Sequence, residues 1–217
     1  MTRELPILFN TEMVQEILAG RKTQTRRIIK PVALEMTYED GPPARKPPYM
    51  KGDILYVREA WKQAVTGTAG HGLIDTYLYR ADGEEVPKGY EAEEKWRPSI
   101  FMPKRAARIW LRVKDVRAER LQDITEDDVC SEGAERIINR CQHMDYSVTP
   151  PEPCYNTVPC LCCIMDYSYP ELFGRMVWNP TISKKDADRY DWYANPWVWR
   201  IEFERIEKTE RTEVQSG

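Results

Sequence analysis

The stretch Ile17-Leu18-Ala19-Gly20-Arg21-Lys22-Thr23-Gln24-Thr25-Arg26-Arg27-Ile28-Ile29 changes its period midway. Before it, Met13, Val14, Ile17 and Leu18 recur at helical spacing behind Asn10 or Thr11, either of which can cap a helix start. Gly20 stands where a helix ends in a left-handed residue. From Lys22 to Ile29 the pattern alternates loosely, as a strand does. Within eight residues this turn gathers a lysine, threonine hydroxyls and arginines. An amine beside a hydroxyl is the composition of an activated nucleophile. Paired guanidinium groups suit phosphate or carboxylate. The competing reading is a solvated basic turn at a helix exit, so the rest of the chain has to decide between them.

Outward from that turn, short strands dominate. Leu5–Asn10 reads as an extended entry, and Gly52–Trp61 as a turn followed by one strand. Thr76–Arg80 and Ala106–Val116 read as further strands, the second with Ile109, Leu111 and Val113 alternating. Trp197–Ile206 closes the series. Glu84–Lys95 reads as a charged loop, and Lys30–Lys51 as a proline-rich one. Two further short helices are expected. One follows Thr125, with Asp127 and Asp128 in its first turn, and the other spans Pro170–Trp178. Residues 207–217 form a polar tail. Many strands with few helices predict an α+β domain, a small β-barrel with helices at its rim, and long insertions at about residues 62–100 and 134–170.

Composition narrows the function classes. The chain has 217 residues, enough for a core without staples, and a net charge of −3, so no global field draws it to nucleic acid. Any such binding has to come from a local patch. No apolar run approaches the roughly 20 residues that span a bilayer, and no signal segment opens the chain, so a cytoplasmic location without membrane attachment is expected. In a reducing compartment clustered cysteines point to metal or to free thiols. Cys141, His143, Cys154, Cys160, Cys162 and Cys163 lie in a proline-rich island. Structural zinc there would take Cys141, Cys154, Cys160 and Cys163, or a set using His143 or Cys162, while buried free thiols remain the alternative.

Taken together, Gly20-Arg21-Lys22-Thr23-Gln24-Thr25-Arg26-Arg27, Gly52–Val57 and Leu121–Glu126 ending in Glu132 resemble the ASCH domain family, whose fold is a PUA-like β-barrel. The family pattern Gly-x-Lys-x-x-x-x-Arg falls on Gly20, Lys22 and Arg27. Val57-Arg58-Glu59-Ala60-Trp61 and Asn195-Pro196-Trp197-Val198-Trp199 resemble stretches of phage and prophage members. One branch of the family deacetylates N4-acetylcytidine with a lysine, a threonine and a glutamate. The resemblance places these on Lys22, Thr25 and Glu132.

That resemblance implies an amidohydrolase needing no catalytic metal. Thr25 would attack the acetyl carbonyl, Lys22 would take its proton, and Glu132 would position water or shuttle a proton to the leaving amine. Arg26 or Arg27 would hold substrate oxygens, Tyr56 or Trp61 would stack on the base, and Arg58 and Glu59 would join the substrate-binding set. The alternative is a non-catalytic module that reads a modified base in RNA or DNA, with Lys22, Arg26, Arg27, Lys30, Arg58, Lys104 and Arg105 as its basic patch.

Overall fold

The computed structural model describes residues 2–30, 45–66, 74–83, 85–86, 88–138, 144–145, 152–153 and 167–207. Every candidate zinc ligand of the cysteine island lies outside them. Ten strands and five short α-helices are present among these residues: β1 (Glu4–Leu8), α1 (Thr11–Leu18), β2 (Gln24–Ile28), β3 (Ile54–Arg58), β4 (Trp61–Thr66), β5 (Ile74–Tyr79), β6 (Tyr90–Ala92), β7 (Trp110–Arg120), α2 (Glu126–Ser131), α3 (Glu135–Ile138), β8 (Met144–Asp145), β9 (Glu152–Pro153), α4 (Tyr169–Phe173), α5 (Ala187–Tyr190) and β10 (Trp197–Ile206). The class is α+β. No described helix is long and apolar enough to cross a membrane.

Five strands hydrogen-bond in the order β1-β3-β7-β10-β2, and a separate sheet has the order β5-β4-β6. The barrel expected from the sequence is not closed among the described residues, because β1 and β2 end that order. Pro6 in the middle of β1 supplies no N–H, which suits an outer strand. The chain forms two compact units interleaved in sequence. One comprises Met1–Thr23, Tyr49–Asp115 and Glu202–Gly217, and the other Gln24–Pro48 and Val116–Ile201.

In the first unit, α1 starts as its sequence dictates: the Asn10 side chain accepts from the Met13 N–H at 2.8 Å. Met13, Val14 and Ile17 go inward, and Gly20 leaves the helix at φ 76°, where a Cβ would be strained. β1 runs parallel to β3, with Ile7 opposite Val57, and β3 pairs antiparallel with β7. The strand expected over Gly52–Trp61 breaks after Arg58, and a new one begins at Trp61. The break is where the Glu59 carboxylate is drawn to Arg108, at 2.9 and 3.0 Å. The region expected as a long insertion therefore carries its own antiparallel sheet. Its third strand, β6, lies within what read as a charged loop. Trp61, Met102 and Ala106 form a buried cluster against Tyr77 and Tyr79.

In the second unit, the core is Leu121, Ile124, Val129, Ala134, Ile138, Leu172, Phe173, Trp178, Trp192 and Val198. Thr125 caps α2 as expected. Its hydroxyl accepts from the Asp128 N–H, and the Asp128 carboxylate reaches back to the Thr125 N–H. The helix expected over Pro170–Trp178 is α-helical only to Phe173 and continues as a π-helical turn over Gly174–Trp178. A Cβ at Gly174 would lie 2.2 Å from an indole carbon of Trp192, so the wider turn and the glycine both answer to a tryptophan eighteen residues away in sequence.

Candidate functional site

β2 carries Gln24, Thr25 and Arg26, all buried. Strand alternation puts Gln24 and Arg26 on one face and Thr25 and Arg27 on the other. Burial of three polar side chains in a row is costly unless each finds a partner, and the second unit supplies them.

The Arg26 side chain is 1% exposed. Its Nε donates to Glu119 Oε1 at 2.8 Å, its Nη1 to Glu132 Oε1 at 3.1 Å, and its Nη2 to Asp128 Oδ2 at 3.0 Å. Three carboxylates around one cation leave an excess of negative charge, and two further arginines offset it. Arg200 Nη2 donates to Asp128 Oδ1 at 3.0 Å, and Arg117 Nε meets Glu119 Oε2 at 3.3 Å. Gln24 joins both sides: its Nε2 donates to Asp128 Oδ1 at 3.1 Å, and its Oε1 accepts from Arg200 Nε at 2.8 Å. Three arginines thus face three carboxylates. Burial pushes the Asp128 carboxyl up, but the hydrogen bonds from Gln24 and the Thr125 N–H, with the guanidinium charges of Arg26 and Arg200, outweigh it and hold the group below the usual carboxylate range.

Asp128 and Glu132 are four residues apart, so α2 and its C-terminal cap present both to Arg26. Glu132 is 4% exposed. Thr25 is 2% exposed, and its Oγ1 accepts from Arg27 Nη1 at 2.7 Å. Arg27 also donates to the Arg26 carbonyl at 2.9 Å. Thr25 and Glu132 are therefore held by separate arginines rooted on opposite faces of β2. Of the residues singled out in the sequence, Thr25, Arg26, Arg27 and Glu132 belong to this unit. Gln24, Glu119, Asp128 and Arg200 were not singled out. The i,i+4 spacing of Asp128 and Glu132 was the available signal for one of them.

Lys22 belongs to the first unit, where it is buried, with its Nζ 5.6 Å from the centroid of the Phe9 ring. Its backbone N–H, like that of Arg21, donates to the Glu16 carbonyl and extends the exit of α1. Tyr56, Arg58, Glu59, Trp61, Lys104 and Arg105 also lie in this unit and have structural partners there, whereas Lys30 belongs to the second unit. Arg58 Nε donates to the Met102 carbonyl at 2.9 Å, and its Nη2 to that of Ile100. Arg108 binds both Glu59 and Asp82 while lying 3.9 Å over the Tyr79 ring. Burial pushes the Glu59 carboxyl above its ordinary range, only partly offset by Arg108. Trp61 is buried, with Arg97 over its ring at 5.1 Å and no hydrogen-bond partner for its indole N–H among the described residues. Tyr56 packs on Trp110, with Lys104 near its ring. Among the described residues no group of three or more His, Cys, Asp or Glu side chains is placed to hold a metal ion.

No family model matches the chain, and no curated protein matches it. Among solved structures, it is similar to the crystal structure of protein EF3133 from Enterococcus faecalis V583, whose description gives the family name DUF984. The identity is 12% over 98% of this chain and 82% of that one, with a TM-score of 0.39. A likeness at that level carries no argument about activity.

Proposed function

We propose that the protein is an ASCH-like, PUA-like amidohydrolase that removes an acyl group from a modified pyrimidine nucleoside of the N4-acetylcytidine kind. The observation that carries the proposal is the buried Thr25 hydroxyl receiving a hydrogen bond from Arg27 at 2.7 Å. A guanidinium donating to the oxygen leaves the hydroxyl proton for a base and favours negative charge on that oxygen.

In this reading Thr25 Oγ1 attacks the acetyl carbonyl as its proton passes to a base, the role that the resemblance gives to Lys22. The carbon–nitrogen bond breaks, and the cytosine amine leaves with the proton taken from Thr25, handed on by way of the Glu132 carboxylate. Water then cleaves the threonine ester to acetate. Thr25 and Glu132 are held by Arg27 and Arg26, which are rooted on opposite faces of β2, so in this reading the Glu132 carboxylate relays the proton through water. Arg26 is consumed by three carboxylates and acts here by holding Glu132, while Arg27 is the arginine that faces the reacting oxygen.

Chromatographic conversion of N4-acetylcytidine to cytidine tests the proposal. Wild type is expected to convert it, with Thr25→Ala and Glu132→Ala each losing the activity while remaining folded. Undiminished conversion by Thr25→Ala would remove the nucleophile from the scheme.

A further inference from the structure

A buried charge is tolerated when an opposite charge meets it, and the buried carboxylates of this chain obey that rule. Glu16 takes Arg21 at 3.0 Å, Asp53 takes Arg3 at 3.0 Å, and Glu59 takes Arg108 at 2.9 Å, while Asp128 and Glu132 share Arg26. Lys62, on β4 of the first unit, departs from it. The residue is 5% exposed, and its Nζ lies 4.3 Å from the centroid of the Trp96 ring. Among the described residues no carboxylate and no hydrogen-bond acceptor reaches that ammonium. An indole face attracts a cation but does not neutralise it.

The register of the three-stranded sheet explains the missing partner. Alternation along β4 puts Lys62 and Ala64 on one face and Trp61, Gln63 and Val65 on the other. Glu91 pairs with Val65 and so belongs to the far face. Glu93 is committed elsewhere: its Oε2 accepts from Arg97 Nε at 2.7 Å and from the Gln63 N–H at 3.4 Å. Glu94, just beyond β6, is exposed and forms no ion pair with Lys62. On the Lys62 face, Leu78 stands opposite Lys62, and Thr76 and Ala92 stand either side of Ala64. Beside the ammonium the sheet therefore offers short side chains and one hydroxyl, which is a further donor.

We propose that Lys62, with Trp96 as its wall and the Thr76 hydroxyl nearby, binds the oxyanion of a small molecule, a phosphate or carboxylate group that supplies the missing negative charge. Lysine takes such groups as a compact point charge. Packing alone does not account for a lysine here, because an apolar side chain of similar length would fill the space without burying a charge. The site uses none of the residues around Thr25 and Arg26, and it does not depend on the amidohydrolase reading.

The test is carbon NMR of the full chain labelled at the lysine Cε atoms, with the Lys62 signal identified by its loss in Lys62→Met. Sodium phosphate and sodium benzoate are titrated separately, against sodium chloride at matched ionic strength. The Lys62 signal is expected to move saturably with one oxyanion or both, at a concentration at least about tenfold below that needed by any other lysine, and to ignore chloride. A response to phosphate alone identifies a phosphate-bearing ligand, and a response to benzoate alone a carboxylate-bearing one. Thermal midpoints give the second readout. The oxyanion that moves the signal should raise the wild-type midpoint by binding the folded state, and Lys62→Arg should keep that rise. Lys62→Met should lose it, yet be at least as stable as wild type in chloride alone, because it removes an unpaired buried charge. A Lys62 signal unmoved by both oxyanions, an equal effect of chloride, or an equal midpoint rise in Lys62→Met would overturn the proposal. A Lys62→Met variant destabilised in chloride would also overturn it, because the ammonium would then already have its partner.

Discussion

Replacing Arg26 by methionine tests whether the buried charge network holds the second unit together. The guanidinium touches three carboxylates within 3.1 Å, and its side chain is 1% exposed. Unit charges about 4 Å apart attract by about 4 kcal/mol at an effective dielectric of about 20. Methionine fills much of the same volume but leaves Glu119, Asp128 and Glu132 without this cation. Arg200 and Arg117 remain for Asp128 and Glu119.

Losing one partner of a buried ion cluster costs about 3–5 kcal/mol. The Asp128 and Glu119 side chains are 12% and 11% exposed, which places the expectation at the lower end, about 3 kcal/mol. Over a chain of this length that is a fall of about 6–12 °C in thermal midpoint. Urea titration followed by tryptophan fluorescence reads it directly, because Trp178 and Trp192 lie in the core of this unit. Arg97→Met, which removes the exposed pair with Glu93, is the control and should leave the transition unmoved. A loss below about 1 kcal/mol in Arg26→Met would refute the reasoning, because the carboxylates would then be satisfied without the cation.

Two further perturbations follow from the same structure. Asp128 titrates below its unfolded value near 3.9, so its contribution is present above that pH and is lost as pH falls through the depressed folded value. Asp128→Asn should therefore flatten the acid limb of a stability-versus-pH curve. Glu59 has the opposite sign: its contribution is present below about 4.3 and fades as pH rises through the raised folded value. An acid limb as steep in Asp128→Asn as in wild type would contradict the assignment. Gly174→Ala drives a methyl into the Trp192 indole, and should cost about 1–3 kcal/mol in urea titration, the usual penalty of overpacking. A neutral result would mean that Trp192 moves aside cheaply.

What could be read from the sequence was what local chemistry determines. The Asn10 cap, the Gly20 exit, the Thr125 cap and the closing strand Trp197–Ile206 each depend on residues within a turn or a strand of one another, and each is present. The breaks were set from afar. Glu59 leaves its strand for Arg108, forty-nine residues on, and the π-helical turn answers to Trp192. The basic run at Arg26 and Arg27 read as a receptor for an external anion, yet Arg26 already faces anions from positions 119, 128 and 132. A run of cations shows in sequence, but which carboxylates reach it is a matter of tertiary packing. Thr25 was singled out by its neighbours in the chain, and its burial and its bond to Arg27 came only with the fold.

The most direct test of the central claim is the rate of N4-acetylcytidine hydrolysis by wild type, Thr25→Ser and Thr25→Ala measured side by side. The account predicts turnover by wild type, retained activity in the serine variant, which keeps the hydroxyl, and none in the alanine variant. Equal turnover by all three, or no turnover by folded wild type, would contradict it.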